Sequence, residues 1–293
     1  MFSVALFYSI NFFTVKVLFL EMSPFPILAL RSFAGLLFFG LAWRFFSRHE
    51  KVERQDIPRL IACGIFGITL NQVFFLWGLS LTSEFHGAVL MLLTPVFVFV
   101  LNHLFLARSE KINWVHIVGL IISTTGATWL ILQAGAGKSA GRDNWLGDIM
   151  ILVNAASYGL YLVLVKPLIS KYKPVTILAW MFLLGGPINI VLGLTTGDMG
   201  KVAHLSPEAL FGLWFLIIGA TLLAYLLNAW AMIRVSPVWV GMYIYLQPIL
   251  TLLMSAILWQ GSLTLLKLAA AVLIFIGVAL TTRKPTSPKV YST

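Results

Sequence analysis

Polar side chains recur at helical spacing inside the apolar runs of this 293-residue chain. Tyr8, Asn11 and Thr14 stand at i, i+3, i+6 in the first run, and Asn154, Ser157 or Tyr158, and Tyr161 repeat the pattern near the midpoint. Asn71 and Gln72 are adjacent in another run, Tyr225 and Asn228 lie three apart, and Tyr243 and Gln247 lie four apart just before Pro248. Residues three or four apart share a helix face. Amides and phenols in hydrocarbon need a partner, water or a solute, because an unsatisfied polar group there is costly. Their chemistry is hydrogen bonding to a polar or zwitterionic solute rather than bond cleavage. The competing reading is interhelical bonding, worth about 0.6 kcal/mol per bond. For any single residue both readings stay open.

Two basic residues, Lys16 and Arg31, are clearly set within apolar runs. Lys16 sits about a turn from its helix end, so it either holds a solute carboxylate or snorkels to the headgroups. For Arg31 a structural role is the favoured reading, and Lys166 reads as an interfacial anchor. The expected solute contacts are therefore Asn11, Lys16, Gln72, Tyr158, Tyr161, Tyr225, Asn228, Tyr243 and Gln247. Pro95 and Pro248 each remove one i→i−4 hydrogen bond at matching places in the two halves, and both are expected to act as hinges. Glu21, Glu84, Asp148, Asp198 and Glu208 all fall near helix ends or in loops. No buried carboxylate is thus expected, and proton coupling through one is unsupported. His103, the nearest relay candidate, reads as a structural hydrogen bonder.

Other chemistries are set aside. Gly135-Ala136-Gly137-Lys138-Ser139 ends like a phosphate loop, but Leu132 occupies the place of its first glycine and no strand precedes it. The five histidines show no H-E-x-x-H spacing, so neither a metal nor a cofactor is expected. No readable Ser–His–acid set is present, and the chain is not expected to be an enzyme. A channel would carry a filter motif or a pore-lining charge ring. A channel-like facilitator and, further off, an intramembrane enzyme remain the alternatives.

The elements that must carry these faces follow from composition. The chain is 60% hydrophobic and 10% charged, with a mean hydropathy of +0.95. A soluble domain carries about 25% charged residues, so lipid must solvate much of this surface. Apolar segments at 2–20, 25–46, 59–81, 85–107, 113–133, 147–168, 174–196, 208–232, 236–259 and 263–282 are each long enough to cross a bilayer as a helix. The first is read as a retained span, since it has no basic leader and no cleavage site. The single cysteine, Cys63, can form no intrachain disulfide.

Basic residues gather at one set of helix ends, including Arg44, Arg48, Lys51, Arg54, Arg59, Lys171, Lys173 and Arg234. The opposite ends hold Lys138, Arg142, Lys201 and Lys267. The positive-inside rule then places both termini in the cytoplasm. The net charge of +10 sits beside the apolar runs, as it does next to anionic lipid, so nucleic acid is not an expected partner. The expected partners are a small-molecule solute and the lipid bilayer, and the expected form is a monomer.

Internal similarity divides the chain. An offset of 150 pairs Tyr8 with Tyr158, Lys16 with Lys166 and Pro24 with Pro174. Offsets of 152–153 pair Gly67 with Gly219, Thr69 with Thr221, Trp77 with Trp230, Ser83 with Ser236 and Pro95 with Pro248. The expected fold is an all-α polytopic membrane protein, ten transmembrane helices in two inverted five-helix repeats. The first repeat is 1–133, an external Gly-rich linker is 134–146, the second repeat is 147–282 and a cytoplasmic tail is 283–293. An odd number of spans per half runs equivalent helices in opposite directions, the plan of secondary transporters with a midplane site.

These features resemble the drug/metabolite transporter superfamily, in particular its EamA-type branch of ten-helix exporters. Tyr8-Ser9-Ile10-Asn11-Phe12 with Lys16 is similar to that family's aromatic-Gly-x-Asn-Phe…Lys opening, with Ser9 in place of the glycine. Ser23-Pro24, Pro26 and Arg31 resemble the start of its second helix; Asn71–Leu81, Thr82-Ser83 and Thr94-Pro95 resemble its third and fourth. Ser236-Pro237 through Pro248 is similar to its ninth. The glutamate usual after the fourth and ninth helices occurs at Glu110, while Gly261 takes the second place. The resemblance implies a central cavity lined by helices 1, 3, 4, 6, 8 and 9. It also implies a bacterial inner-membrane location and export of a small polar metabolite, such as an amino acid, by alternating access.

Overall fold

The computed structural model describes residues 2–105, 113–136, 145–234, 250 and 265–281. Among these every regular element is helical. The first two are α1 (Phe2–Leu18) and α2 (Pro24–Phe46). The third apolar segment is α3 (Ile57–Gly64), a π-helical stretch Ile65–Thr69, and α4 (Leu70–Leu81). The fourth splits into α5 (Glu84–Met91) and α6 (Thr94–Phe105), and the fifth is α7 (Trp114–Ala136). The second half begins with α8 (Trp145–Ile169) and α9 (Pro174–Thr196). Next come α10 (Pro207–Phe215), a second π-helical stretch Leu216–Leu223, and α11 (Ala224–Arg234). The last described element is α12 (Leu265–Thr281). The ninth expected segment, 236–259, lies outside the described residues but for Leu250, as does the tail 283–293. α7 runs on through Ala136 and α8 already starts at Trp145, so helix occupies both ends of the 134–146 linker.

Local chemistry sets the helix starts. Pro24 and Pro174 stand at equivalent first helical positions, where a missing N–H costs nothing. Ser83 caps α5 by accepting from His86 N at 3.3 Å, and Ser206 caps α10 by accepting from Ala209 N at 3.2 Å. The break between α5 and α6 lies just before Pro95. Leu92 and Leu93 bond back three residues, to Val89 and Leu90, and Pro95 has no N–H to offer the carbonyl of Met91. The two π-helical stretches occupy corresponding places in the two halves, each containing one of the paired threonines, Thr69 and Thr221. A π turn adds a residue and widens the helix, and such bulges often mark functional sites.

Corresponding helices pack on each other in opposite directions. Along α2 and α9, Pro26 lies by Gly197, Ala29 by Gly193 and Gly35 by Phe182. Along α7 and α12, Gly119 meets Thr281 and Gly277, and Gly126 meets Ile274 and Ala270. In both pairs rising numbers on one helix meet falling numbers on the other. Small residues allow this approach, as expected where helices associate by packing inside lipid. A Cβ on Gly185 would overlap the carbonyl of Gly64, whereas one on the neighbouring Gly186 would come no closer than 3.7 Å to Ser32 O.

The outward faces are apolar: Phe33, Leu37 and Phe45 on α2, and Leu183, Val191 and Leu194 on α9, are all exposed. Among the described residues, six helical stretches are long and apolar enough to cross a membrane, including Pro24–Phe46, Trp145–Ile169 and Pro207–Ala231. Two clasps close the bundle at opposite ends. At one, Glu21 accepts from Ser206 N at 2.8 Å and from the Ser206 hydroxyl at 2.5 Å, bonds that hold its carboxyl below the usual range. At the other, Asp56 accepts from Lys171 Nζ at 2.9 Å and from the Tyr172 hydroxyl at 2.8 Å, and the bond to Asp56 raises the pKa of the Lys171 ammonium.

The glycine contact makes a direct prediction. Gly185→Ala should lower stability by about 2 kcal/mol through overpacking against backbone, and Gly186→Ala should be neutral. Unfolding of the two variants in detergent, followed by helical circular dichroism, measures the difference.

Candidate functional site

A central cavity lies where α1, α2, α4, α5, α8 and α11 converge. Its polar lining is Tyr8, Asn11, Arg31, Asn71, Gln72, Asn154, Tyr158 and Tyr225, and its apolar lining is Phe12, Phe75 and Met91. Phe12 and Phe75 meet edge to face, with centroids 5.4 Å apart, and form one wall. The α5–α6 break sits beside it, because Met91 is the last residue of α5. Among the described residues no Asp or Glu lines the cavity.

Surrounding bonds hold the polar lining. Asn154 Nδ2 donates to the carbonyl of Asn71 at 2.7 Å, which fixes the orientation of that amide and leaves Oδ1 as an acceptor. The Tyr225 hydroxyl donates to the Gly67 carbonyl, 3.2 Å away in the first π-helical stretch. Gln72 is tied into a chain in which Asn189 Nδ2 donates to Ser32 Oγ at 3.0 Å and Ser32 Oγ donates to Gln72 Oε1 at 3.4 Å. Arg31 Nε donates to Thr221 Oγ1 at 3.0 Å, and that hydroxyl donates to the Leu216 carbonyl five residues back, at 2.9 Å. The second π-helical stretch thus presents Thr221 to the arginine.

Of the expected solute contacts, Asn11, Gln72, Tyr158 and Tyr225 line the cavity. Asn228 stands behind it, its Nδ2 donating to the Tyr158 hydroxyl. Tyr161 packs on Tyr158, with centroids 5.6 Å apart, and fills the space left by Gly67. Lys16 lies away from the cavity and donates to the carbonyl of Thr82 at 2.5 Å. Tyr243, Gln247 and Pro248 lie outside the described residues. Tyr8, Asn71 and Asn154 stood on the polar faces read from sequence, but outside the expected contact set. Phe12, Phe75 and Met91 carry no signal of type or spacing that would separate them from other apolar residues. Arg31 does not reach toward headgroups; it is buried against the second half of the chain.

One expectation is overturned outright. Asp148 stands near a helix end, in the first turn of α8, as its sequence position indicated, but it is fully buried. It accepts from the Thr82 hydroxyl and lies 2.9 Å from Nδ1 of the fully buried His86. Through Thr82 the cluster reaches Lys16, so α1, α5 and α8 are joined at one point. Sequence spacing hides it because its members lie 62 and 66 residues apart.

The fold defines a polytopic helical membrane protein. The EamA-like transporter family model matches residues 1–132 and 145–283, and the chain belongs to that family. It is 26% identical to an uncharacterized transporter of Archaeoglobus fulgidus over 286 residues, 95% of each chain. It is 25% identical to the uncharacterized transporter YxxF of Bacillus subtilis, over 95% of this chain and 86% of that one. A shorter match, 28% identical over 123 residues (42% of this chain and 39% of the other), is to a probable terminal-alkyne amino-acid exporter of Streptantibioticus cattleyicolor. A crystal structure with a TM-score of 0.65 and 18% identity, covering 95% of this chain and 93% of its own, shares the fold.

The buried cluster makes a prediction of its own. Asp148→Ala strips Thr82 and His86 of a shared partner and should cost about 3 kcal/mol, as breaking a buried pair does. Asp148→Asn, which keeps an acceptor oxygen, should cost less than half as much. Thermal unfolding of both in detergent is the measurement.

Proposed function

We propose that this transporter is a secondary carrier that exports a small polar metabolite, such as an amino acid, across the bacterial inner membrane by alternating access. The observation that carries this reading is a cavity to which helices from both halves of an otherwise apolar bundle contribute polar side chains. A site at the interface of two oppositely directed repeats can open to either side as the halves rock. The two clasps, Glu21–Ser206 and Lys171/Tyr172–Asp56, stand at opposite ends of the bundle, where alternate opening would require contacts to break in turn. The interruption before Pro95 supplies a bending point next to the cavity, and Pro248 is its proposed counterpart.

The amino-acid class is supported by the neutral amide and phenol lining and by the exporter among the relatives. Within this reading Asn11, Gln72, Tyr158 and Tyr225 contact the solute, and Tyr161 and Asn228 support Tyr158 from behind. Lys16 positions the end of α1. Both termini face the cytoplasm, as the loop charges require. One chain suffices, because both halves of the site come from it, and no cofactor or catalytic step is needed.

Proteoliposomes loaded with a labelled amino-acid panel test the proposal. Saturable counterflow of at least one solute is expected, with Asn154→Ala reducing it at least about tenfold through loss of one buried polar contact and its dependants. Linear, non-saturating flux would favour a channel-like facilitator instead, and product turnover without flux would favour an enzyme.

A further inference from the structure

The cavity holds a buried cation with no counter-charge on the described chain. Arg31 is 3% exposed, and its Nη1 is buried with no hydrogen-bond partner. Its bond to Thr221 is to a neutral hydroxyl. The side-chain ion pairs among the described residues are His86–Asp148, Lys171–Glu53 and Lys171–Asp56, and none includes Arg31. A guanidinium in so dry a place is expensive unless an anion meets it. Neither neutralisation nor titration removes that cost, because arginine stays protonated.

The rest of the lining complements an anion that also carries a donor. Asn154 Oδ1 and Asn11 Oδ1 are buried acceptors without partners, and Gln72 Nε2 is a buried donor without one, a further group that an anion could accept from. For Asn154 the acceptor assignment is firm, because its Nδ2 is committed to the Asn71 carbonyl. A cation and two acceptors around one space match a carboxylate with a nearby N–H or O–H. A single fixed positive charge among amides and phenols balances one negative charge.

We infer that Arg31 binds the acidic group of the transported solute, and that the substrate class is small monocarboxylates bearing an amino or hydroxyl group. The inference rests on the reading of this cavity as the solute site. Arg31 then has two jobs. Its Nε anchors α2 to the second π-helical stretch, and its Nη1 face receives the carboxylate by a charge-assisted bond, stronger than any the amides offer. Binding at Arg31 also places the solute's charge between α2 of the first half and Thr221 of the second, the two parts that must move relative to each other.

The test is equilibrium binding by titration calorimetry to the purified full-length protein in detergent. The probes are matched sets with aliphatic, aromatic and hydroxylated side chains: each amino acid, its 2-hydroxy acid and its carboxamide. At least one acid should bind about tenfold or more tightly than its amide, a margin that one charge-assisted bond supplies. Arg31→Gln should bring acid and amide within about twofold, and Arg31→Lys should keep the preference for the acid. Thr221→Val, which removes only the anchor, should keep it as well. Acid and amide binding equally to the wild type, an undiminished preference in Arg31→Gln, or no binding by any acid would each overturn the inference. If Arg31→Gln does not fold, the wild-type and Arg31→Lys comparisons decide. Because binding is read without a membrane, acid binding without flux in proteoliposomes would sink the transport reading alone. Flux without acid preference would sink this inference alone.

Discussion

Inside hydrocarbon a hydrogen-bond donor or acceptor has no water to fall back on, so each must find its partner within the chain or in a bound solute. Most of the described architecture is an answer to that demand. Ser32, Gln72 and Asn189 bond to one another across three helices, and Asn154 and Ser157 bond to carbonyls of the third segment at Asn71 and Phe66. Thr221 uses the widened turn of its π-helical stretch to hold Arg31. Some of the unmet groups lie elsewhere in the bundle, at Trp43 Nε1, Ser47 Oγ and Thr176 Oγ1 for example, but Arg31 Nη1, Asn11 Oδ1, Gln72 Nε2 and Asn154 Oδ1 belong to residues around the same cavity. That grouping is a physical reason to regard the cavity as a binding site rather than a packing defect. A packing defect is lined by apolar groups and carries no polar debt.

Much of the fold was legible in the sequence. Lengths of apolar runs, paired prolines at 24 and 174, and the Pro95 break all follow from local rules about hydrocarbon thickness and missing N–H groups. The polar faces were legible too, since period and residue type reveal which side of a helix is wet. What period cannot reveal is depth and direction. Tyr161 and Asn228 share faces with lining residues yet stand one layer behind them. Lys16 looked like a solute ligand, but the turn after α4 brings the Thr82 carbonyl to it. Asp148 looked solvated because it opens a helix, and only the packing of α4 and α5 around that end buries it. Such contacts depend on residues distant in sequence, about which local pattern says nothing.

The Asp148–His86–Thr82 cluster changes how energetic coupling should be viewed in this transporter. A described carboxylate and imidazole do lie buried within the bundle, away from the cavity lining, and they join α1, α5 and α8. Their place at helix ends, rather than beside the solute, makes them a structural tie among the three helices that border the cavity. The cavity is lined by neutral groups and one permanent cation, so its charge does not vary with physiological pH.

The central claim is that one cavity serves both sides of the membrane in turn. Labelling of Asn71→Cys in a Cys63→Ser background tests it most directly, because Asn71 lines the cavity and the substitution keeps the backbone carbonyl that bonds to Asn154. A membrane-impermeant maleimide applied to right-side-out and to inside-out vesicles should modify this cysteine from either side, and a transported solute should slow both reactions. Modification from one side only, unchanged by solute, would contradict the account.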